Sequence, residues 1–323
     1  MKFASAQFRK FLVNIESSLE RIARGTQKCG ALGHGLFGLC VNPSRGVVPS
    51  HFKKAQVTPV PKSRAILYDN ISKYRPISQL PFNSKVLERV VTNCIPAHLE
   101  EYHLFDKYQS AYRAAHSTET ALLRVHHDIT SAPDKGSTVA LVMLDQSATF
   151  DVIAHDILLQ RLEFAFGISG RALKWFGSYL QDRSQCVCVG KDVSKTLPVV
   201  CRVPQGSVLG PLLYTMYTKS IGKICCRHNV LYYCYVDDIQ LYCTAESSKD
   251  LAAKLSSTNE CIGELKSWMG YNMLKRNSEK KEFIFASKKS PGRSATPSLP
   301  WHLRDINIYS HVWSLGVIFD SAL

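Results

Sequence analysis

The sequence predicts an α+β or α/β fold with an antiparallel element, and three observations lead to this prediction. Amphipathic helical patterns alternate with short apolar runs of strand length along the chain. One apolar hairpin pattern, at residues 229–246, is stronger than the other strand signals. Of the 323 residues, 45% are hydrophobic and 10% are aromatic, which excludes a disordered chain. We therefore expect neither a helical bundle nor a β-sandwich.

The first half of the chain is predicted to mix helices and strands. Apolar residues at helical spacing predict an amphipathic helix at 5–24, and a loop rich in Gly, Cys, Pro and Ser follows it. Asn83 or Ser84 is expected to cap the helix that comes after Pro81. The remaining expected elements are strands at 55–62, 74–78 and 137–145, and helices at 82–102, 117–130, 155–166 and 169–183.

The second half is predicted to be built around the hairpin at 229–246. Its two apolar arms flank an Asp-Asp pair, and no internal repeat accompanies them. The other expected elements are short strands at 186–190 and 195–203, helices at 210–224 and 248–272, and strands at 280–287 and 310–319.

Three carboxylates stand out because of their positions in these elements. Asp145 ends an otherwise apolar strand, and Asp237 and Asp238 lie at the bend of the hairpin. If they converge, their repulsion and desolvation cost several kcal/mol unless cations bind there. Two Mg²⁺ ions about 3.5–4 Å apart are a common device for phosphoryl or nucleotidyl transfer. Ordinary turn chemistry at the Asp pair and a helix cap at Asp145 remain open alternatives.

Basic residues and a flexible loop favour a phosphate-containing ligand. Basic and aromatic side chains interleave over residues 51–75, a composition suited to triphosphate or backbone phosphates. The segment 203–211 carries two glycines and two prolines, where backbone can approach a ligand closely. The combination suits polymerisation better than hydrolysis, and a nuclease remains open on these residues alone.

The formal net charge of +14 points to a polyanionic partner, either nucleic acid or an anionic surface. No apolar run reaches the roughly 20 residues needed to span a bilayer, and the N-terminus has no signal-peptide pattern. The 11 cysteines and 11 histidines show no zinc spacing, so reduced, mostly buried thiols in an intracellular compartment are expected.

The hairpin and its partner strands carry recognisable motifs. The sequence Y-V-D-D at 235–238 looks like motif C of reverse transcriptases. The sequence LDQSATFD at 144–151 resembles motif A of LINE-type (non-LTR) retrotransposon enzymes, and CRVPQGSVLGPLLY at 201–214 resembles their motif B.

Four further segments resemble the same enzymes in the same order. They are YRPISQLPFNSKVLERV at 74–90, YQSAYRAAHSTETALLRVHHDI at 108–129, WMGYNMLKRNSEKKEFIFAS at 268–287 and VWSLGVIFD at 312–320. The match is collinear from about Pro43 to the C-terminus, more than four-fifths of the chain, and the segments resemble those of jockey-type elements.

This resemblance implies an α+β right-hand polymerase fold and RNA-templated DNA synthesis. Residues 44–323 would form the reverse transcriptase domain, with fingers and palm, and residues 1–43 an N-terminal extension. Because the chain stops just past the last motif, a missing thumb and at best distributive synthesis are expected. An upstream endonuclease would also be missing. The implied partners are an RNA template, a DNA primer and dNTPs, with no membrane.

The resemblance also assigns the residues of the reaction centre. It implies that Asp145, Asp237 and Asp238 bind two Mg²⁺ ions, with Mn²⁺ as an alternative. Lys280 matches the motif D lysine, a candidate proton donor to the leaving pyrophosphate.

Five other residues match nucleotide-binding positions of the family. Phe150 matches the steric gate that rejects a ribose 2′-hydroxyl. Gln205 and Gly206 match the loop that lines the incoming nucleotide. Arg75 matches the basic residue on the triphosphate, and Lys62 is expected to join it.

The sequence departs from the family at several supporting positions. Arg202 stands where motif B usually has Gly, and a positive φ there would cost an Arg about 1 kcal/mol or more. Ala154 replaces an acid in D-x-x-D-H. These departures keep a second hypothesis open, a catalytically silent relic that only binds nucleic acid.

Overall fold

A computed structural model describes residues 47–62, 73–134, 136–147, 150–286, 307–309 and 311–320. The helix predicted at 5–24 and the domain boundary predicted between residues 43 and 44 lie outside these ranges. The chain divides into two compact units, each made from two separate stretches. The first unit comprises 1–104 and 150–217, and the second comprises 105–149 and 218–323.

The first unit is built around a five-stranded sheet. Its strands are β1 (Lys54–Pro61), β2 (Tyr74–Gln79), β4 (Arg183–Val189), β5 (Asp192–Val193) and β6 (Leu197–Val199). The order is β2-β1-β4-β5, with β6 also paired to β4. The pair β1–β2 is antiparallel and the pair β1–β4 is parallel, as expected for a mixed sheet.

In the described part of the first unit, four α-helices accompany this sheet. They are α1 (Phe82–Glu101), α3 (His155–Phe164), α4 (Gly170–Leu180) and α5 (Gly210–Thr218), the last belonging to this unit as far as Tyr217. Their apolar faces supply fully buried side chains such as Ile95, Leu158 and Phe176. Burial of this kind is the main stabilising contribution to the unit.

The second unit contains the sheet predicted from the hairpin. Its strands are β3 (Thr138–Ser147), β7 (Leu231–Tyr235), β8 (Asp238–Ala245), β9 (Lys275–Ala286) and β10 (Asn307–Ile308), in the order β10-β9-β3-β8-β7. A separate hairpin joins β11 (His311–Ser314) and β12 (Val317–Asp320). The helices are α2 (Thr118–Asp134), α6 (Ser220–Arg227) and α7 (Ser248–Tyr271).

Strand β3 lies in the middle of this sheet and is buried on both faces. It pairs antiparallel with β8 on one side and with β9 on the other. On one face, Leu141 and Met143 join a core cluster with Val125 of α2 and Phe319 of β12. Side chains alternate along a strand, so β3 contributes to cores on both sides, which explains its continuous apolar run.

Some predicted boundaries are wrong, each for an identifiable reason. Helix α1 begins at Phe82 with Pro81 at the N-cap, so the expected caps Asn83 and Ser84 lie inside its first turn, where the Ser84 hydroxyl donates to Glu88. The helix predicted at 210–224 is divided, since its hydrogen-bond ladder is interrupted at Lys219, although that residue keeps helical angles.

In the part of the chain that is described, no helix is long and apolar enough to cross a membrane.

Two strands also differ in length from the prediction. Strand β6 covers only Leu197–Val199 because Val199 pairs with Arg183, the first residue of β4, and the ladder ends there. Strand β9 starts at Lys275, five residues before the predicted start, because its polar first half pairs with the end of β3. A polar run gives no period-2 hydrophobic signal, so this half was not visible in the sequence.

Candidate active site

The pairing of β3 with β8 places two of the predicted carboxylates at facing positions. Leu144 pairs with Ile239 in this antiparallel register. Asp145 follows Leu144 and Asp238 precedes Ile239, so continuing the register sets the two Asp residues opposite each other. Opposed residues of an antiparallel pair have Cα atoms about 4.5–5.5 Å apart. Two residues that are far apart in the sequence are therefore neighbours in the second unit.

Strand alternation also places these two residues on one face of the sheet. Met143 pairs with Gln240, and each lies two residues from one of the Asp residues. Residues i and i+2 of a strand share a face, so Asp145 and Asp238 extend the face on which Leu141 and Met143 lie. Both are half-buried. The register thus supports the predicted convergence of these two carboxylates.

Asp237 lies beside them in the two-residue turn that joins β7 to β8. Tyr235 and Asp238 close this turn, and Val236 adopts a φ of 57° within it. Positive φ at the first central residue only is the type II′ pattern, which normally takes Gly there. A β-branched residue in this conformation is strained by about 1–3 kcal/mol, and such strain concentrates at functional sites.

A neighbouring segment supports the strained turn, and sequence reasoning gave it no role. Gln109 Oε1 accepts the Val236 N–H at 3.3 Å and the Ala111 N–H at 3.0 Å. The Cys234 N–H donates to the Tyr108 carbonyl oxygen at 2.8 Å. The segment carrying Gln109 is thus fixed to the end of β7 and to the turn. The only sequence signal was its membership of the 108–129 motif.

Tyr112 is a second residue near the carboxylates that the sequence did not single out. Its side chain is 50% exposed and its backbone has a φ of 59°. Partial burial raises the pKa of the Tyr112 phenol, and the negative charge of Asp237 raises it further. Tyr112 therefore presents an aromatic ring beside the Asp pair.

Lys280 lies in an irregular part of β9 next to this site. Leu144 pairs with Lys281 and Gln146 pairs with Arg276, so the register shifts at Asp145. The backbone of Lys280 falls within the extra residues of β9 that face Asp145. The structure thus brings the chain of Lys280 to the carboxylates, whereas its side chain lies outside the described part.

The fit of this site to divalent cations can be judged from its donors. Carboxylate oxygens are the ligands that Mg²⁺ prefers, and the register brings two of them to facing positions with a third in the adjoining turn. Among the described residues, no three His, Cys, Asp or Glu side chains are gathered closely enough to hold a metal ion. The backbone register therefore suits such a site, with two acidic residues at facing positions and the third in the turn.

The first unit contains the five residues predicted to bind nucleotide. The loop before α5 is fixed to β2, since the Ser78 N–H donates to the Gln205 carbonyl oxygen at 2.7 Å. Gly206 is exposed with a φ of 108°, and a Cβ there would lie 2.7 Å from the Ser78 carbonyl oxygen. Only Gly fits this close approach of two backbones.

The basic residues lie at the end of the β1–β2 pair where β1 ends and β2 begins. Arg75 pairs with Val60, and the Lys62 N–H donates to the Lys73 carbonyl oxygen at 2.9 Å. Lys62 and Arg75 are therefore diagonal neighbours on one face, and both are exposed. Arg75 is three residues before Ser78 along β2. Strand β2 thus carries Arg75 and also holds, through Ser78, the loop that contains Gln205 and Gly206.

Phe150 lies at the start of the same loop region. Its carbonyl oxygen accepts the Val203 N–H at 3.0 Å, and its ring packs on Tyr214 with centroids 5.5 Å apart. Packing against a fully buried tyrosine fixes the direction of the Phe150 ring. Phe150 is thus held at the base of the loop that carries Gln205 and Gly206.

Arg202 has a positive φ, which is the condition under which the sequence predicted backbone strain at this position. Its φ is 81°, and three contacts hold it in place. Its N–H donates to the Ile153 carbonyl oxygen at 2.8 Å, and its own carbonyl oxygen accepts from His155 Nε2 at 2.8 Å. The guanidinium forms an ion pair with Asp151 at 3.2 Å. These contacts offset the backbone strain that Gly would avoid.

Acidic residues at facing positions of a central antiparallel pair, with a third in the hairpin turn, are the arrangement expected of a right-hand polymerase. A family comparison makes this specific, since residues 60–305 match the family described as reverse transcriptase (RNA-dependent DNA polymerase). The chain belongs to this family.

Two relatives from Drosophila melanogaster confirm the resemblance to jockey-like mobile elements. The chain is 32% identical over 217 residues to a probable RNA-directed DNA polymerase from transposon BS, covering 64% of this chain and 23% of that protein. It is 27% identical over 286 residues to the RNA-directed DNA polymerase from mobile element jockey, covering 86% of this chain and 30% of that protein. The chain thus spans less than a third of these relatives.

A solved structure supports the fold independently of sequence. The apo telomerase from Candida tropicalis, truncated from its C-terminal domain, matches with a TM-score of 0.58 at 12% identity. The match covers 85% of this chain and 55% of that one. At this identity the likeness concerns the fold alone, and it confirms the predicted α+β polymerase architecture.

Proposed function

We propose that this chain carries out RNA-templated DNA synthesis as part of a LINE-type, jockey-like retrotransposon enzyme. Its substrates are a primer 3′-hydroxyl and a dNTP, on an RNA template. The observation that carries the proposal is the β3–β8 register, which sets Asp145 opposite Asp238 with Asp237 in the adjoining turn. Membership of the reverse transcriptase family supports the same reaction.

In the second unit, Asp145, Asp237 and Asp238 would hold two divalent cations. Such ions supply charge stabilisation for the attacking and leaving oxygens of in-line displacement. The hydrogen bond from Val236 to Gln109 keeps the turn, and hence the Asp pair, in one conformation. Lys280, whose backbone belongs to β9, would donate a proton to the leaving pyrophosphate.

In the first unit, the exposed cations Arg75 and Lys62 would bind the triphosphate. The Gln205–Gly206 loop would line the base and sugar, since Gly206 leaves backbone accessible to a ligand. The Phe150 ring, fixed by Tyr214, would exclude a ribose 2′-hydroxyl and so select dNTPs.

The test is primer extension on poly(rA)/oligo(dT) with Mg²⁺. The double variant Asp237→Ala/Asp238→Ala is expected to lose at least about a hundredfold in rate, because the cation ligands are removed. A matched control, Asp192→Ala/Glu260→Ala, removes two exposed acids and should extend like the native protein.

No native extension above the double variant would contradict the polymerase proposal. Binding of an RNA/DNA duplex without extension would instead identify a nucleic-acid-binding relic. Because retained charge alone can give such binding, extension and binding must be measured on the same preparation.

A further inference from the structure

Glu88 of helix α1 is a completely buried acid to which the proposed chemistry gives no role. Its exposed fraction is 0%, and charged side chains are seldom buried to this degree without specific partners. The residue belongs to the 74–90 motif, but the sequence alone did not indicate what its carboxylate contacts. Its partners in the first unit show what it does.

The two carboxylate oxygens of Glu88 have different partners. Oε1 accepts the Tyr179 hydroxyl at 3.1 Å and the Ser84 hydroxyl at 3.3 Å. Oε2 accepts two backbone donors, the Val208 N–H at 2.6 Å and the Leu209 N–H at 3.3 Å. Hydroxyl groups can rotate to donate or accept, whereas a backbone N–H can only donate. The Oε2 side therefore requires an acceptor.

These backbone donors belong to the loop that carries Gln205 and Gly206. Val208 and Leu209 are the last loop residues before α5 begins at Gly210. The other side of the loop is fixed by the bond from Ser78 to the Gln205 carbonyl oxygen at 2.7 Å. The loop is thus held between β2 and the Glu88 carboxylate.

Keeping a carboxylate at this position is costly. Burial raises the pKa of Glu88, while the Val208 and Leu209 N–H groups, Tyr179 and nearby Arg183 act in the opposite direction. The 2.6 Å contact with Val208 has the length of a charge-assisted bond. An apolar residue would avoid the desolvation of the charge but would leave two buried N–H groups without an acceptor. The carboxylate is therefore better explained by loop geometry than by stability.

We propose that Glu88 is a positioning residue that holds the 204–209 loop in the geometry required by the incoming nucleotide. The proposal rests on the proposed polymerase function. Glu88 acts through the two hydrogen bonds that its Oε2 accepts from the loop backbone, and it does not itself contact the substrate.

Kinetics of Glu88→Ala and Glu88→Gln test this role. Glu88→Ala removes the acceptor and is expected to raise KM for dNTP about tenfold, with KM for primer-template unchanged. Glu88→Gln can turn its oxygen to Val208 and Leu209 and its amide to the two hydroxyls, so the rise should be about threefold or less. Equal increases in both KM values, or none, would overturn the proposal.

The matched control is Asp106→Asn in the second unit. Asp106 is a partly buried carboxylate, which accepts the Tyr232 hydroxyl at 2.9 Å and the Tyr108 N–H at 2.8 Å. Its substitution removes the same charge without touching the 204–209 loop, so KM for dNTP should not change. A rise as large as that of Glu88→Ala would show a general effect of losing a hydrogen-bonded carboxylate and would overturn the proposal.

Hydrogen exchange gives a readout that needs no polymerase activity. The amides of Val208 and Leu209 should exchange at least about tenfold faster in Glu88→Ala than in the native chain, with exchange in β1 unchanged. Unchanged exchange at these amides would overturn the positioning role, even in an active enzyme. Faster exchange in a chain that never extends primer would support the anchor while the polymerase proposal fails.

Discussion

Gly206 is the residue at which backbone geometry makes the most restrictive demand. It has a φ of 108°, and a Cβ added to it would lie 2.7 Å from the Ser78 carbonyl oxygen. Gly206→Ala should therefore lower the free energy of unfolding by about 1–3 kcal/mol, measured by chemical denaturation. Gly190→Ala is the control, because Gly190 has a φ of 61° and nothing within 4 Å of its Cβ position.

The control separates conformational strain from collision at the added methyl group. Gly190→Ala should cost only about 1 kcal/mol, the penalty of a left-handed backbone. If the two variants lose equal stability, then Ser78 does not approach the loop closely enough to collide with a methyl group.

Arg202 shows what the sequence could and could not predict at this scale. The sequence predicted a cost for an Arg here if the backbone had a positive φ, without predicting that φ itself, and the structure gives Arg202 a φ of 81°. The compensating contacts with Ile153, His155 and Asp151 were not predicted, because they join residues about 50 positions apart. Glu88 is similar, since its motif was visible whereas its backbone partners at Val208 and Leu209 were not.

Helix α3 provides a prediction at the scale of a single element. Its N-cap residue Ala154 has extended angles, φ −75° and ψ 124°, and makes no side-chain cap hydrogen bond. The family has an acid at this position. Ala154→Asp should raise the free energy of unfolding by about 1 kcal/mol, because the carboxylate accepts a free N–H of the first helical turn. Thermal or chemical denaturation measures this gain.

The gain can be assigned to capping with a second substitution. Ala154→Asn offers the same acceptor without charge and should give most of the increase. Ala154→Leu cannot cap and should give none. A gain for Leu that equals the gain for Asp would mean that packing, and not capping, stabilises the start of α3.

Elements whose apolar residues recur at helical or strand spacing were predicted well, and elements without such regular spacing were not. The hairpin β7–β8 and the helix α7 match their predicted positions closely, since both carry clear apolar patterns. The first half of β9 is polar and forms only because β3 offers it a pairing edge. Pairing of this kind depends on tertiary context, which local sequence does not contain.

The whole molecule carries a formal charge of +14, and this predicts how it binds its proposed partner. Affinity for an RNA/DNA duplex should fall as salt rises, with a log–log slope of about −0.9 per phosphate neutralised. Fluorescence anisotropy between about 50 and 200 mM salt measures the slope. A slope shallower than about −2 would mean that the excess Lys and Arg side chains do not contact the phosphate backbone of the duplex.

The two units are interleaved along the chain, and this affects how the protein is made. β3 emerges from the ribosome long before its partner strands. Its residue Leu144 pairs with Ile239 and with Lys281, which are both synthesised much later. At about 5–20 residues per second, this apolar central strand waits several seconds for its first neighbour. A nascent strand exposed for so long favours aggregation, so yield of folded protein should depend on translation rate and on chaperones that shield β3 until its partners emerge.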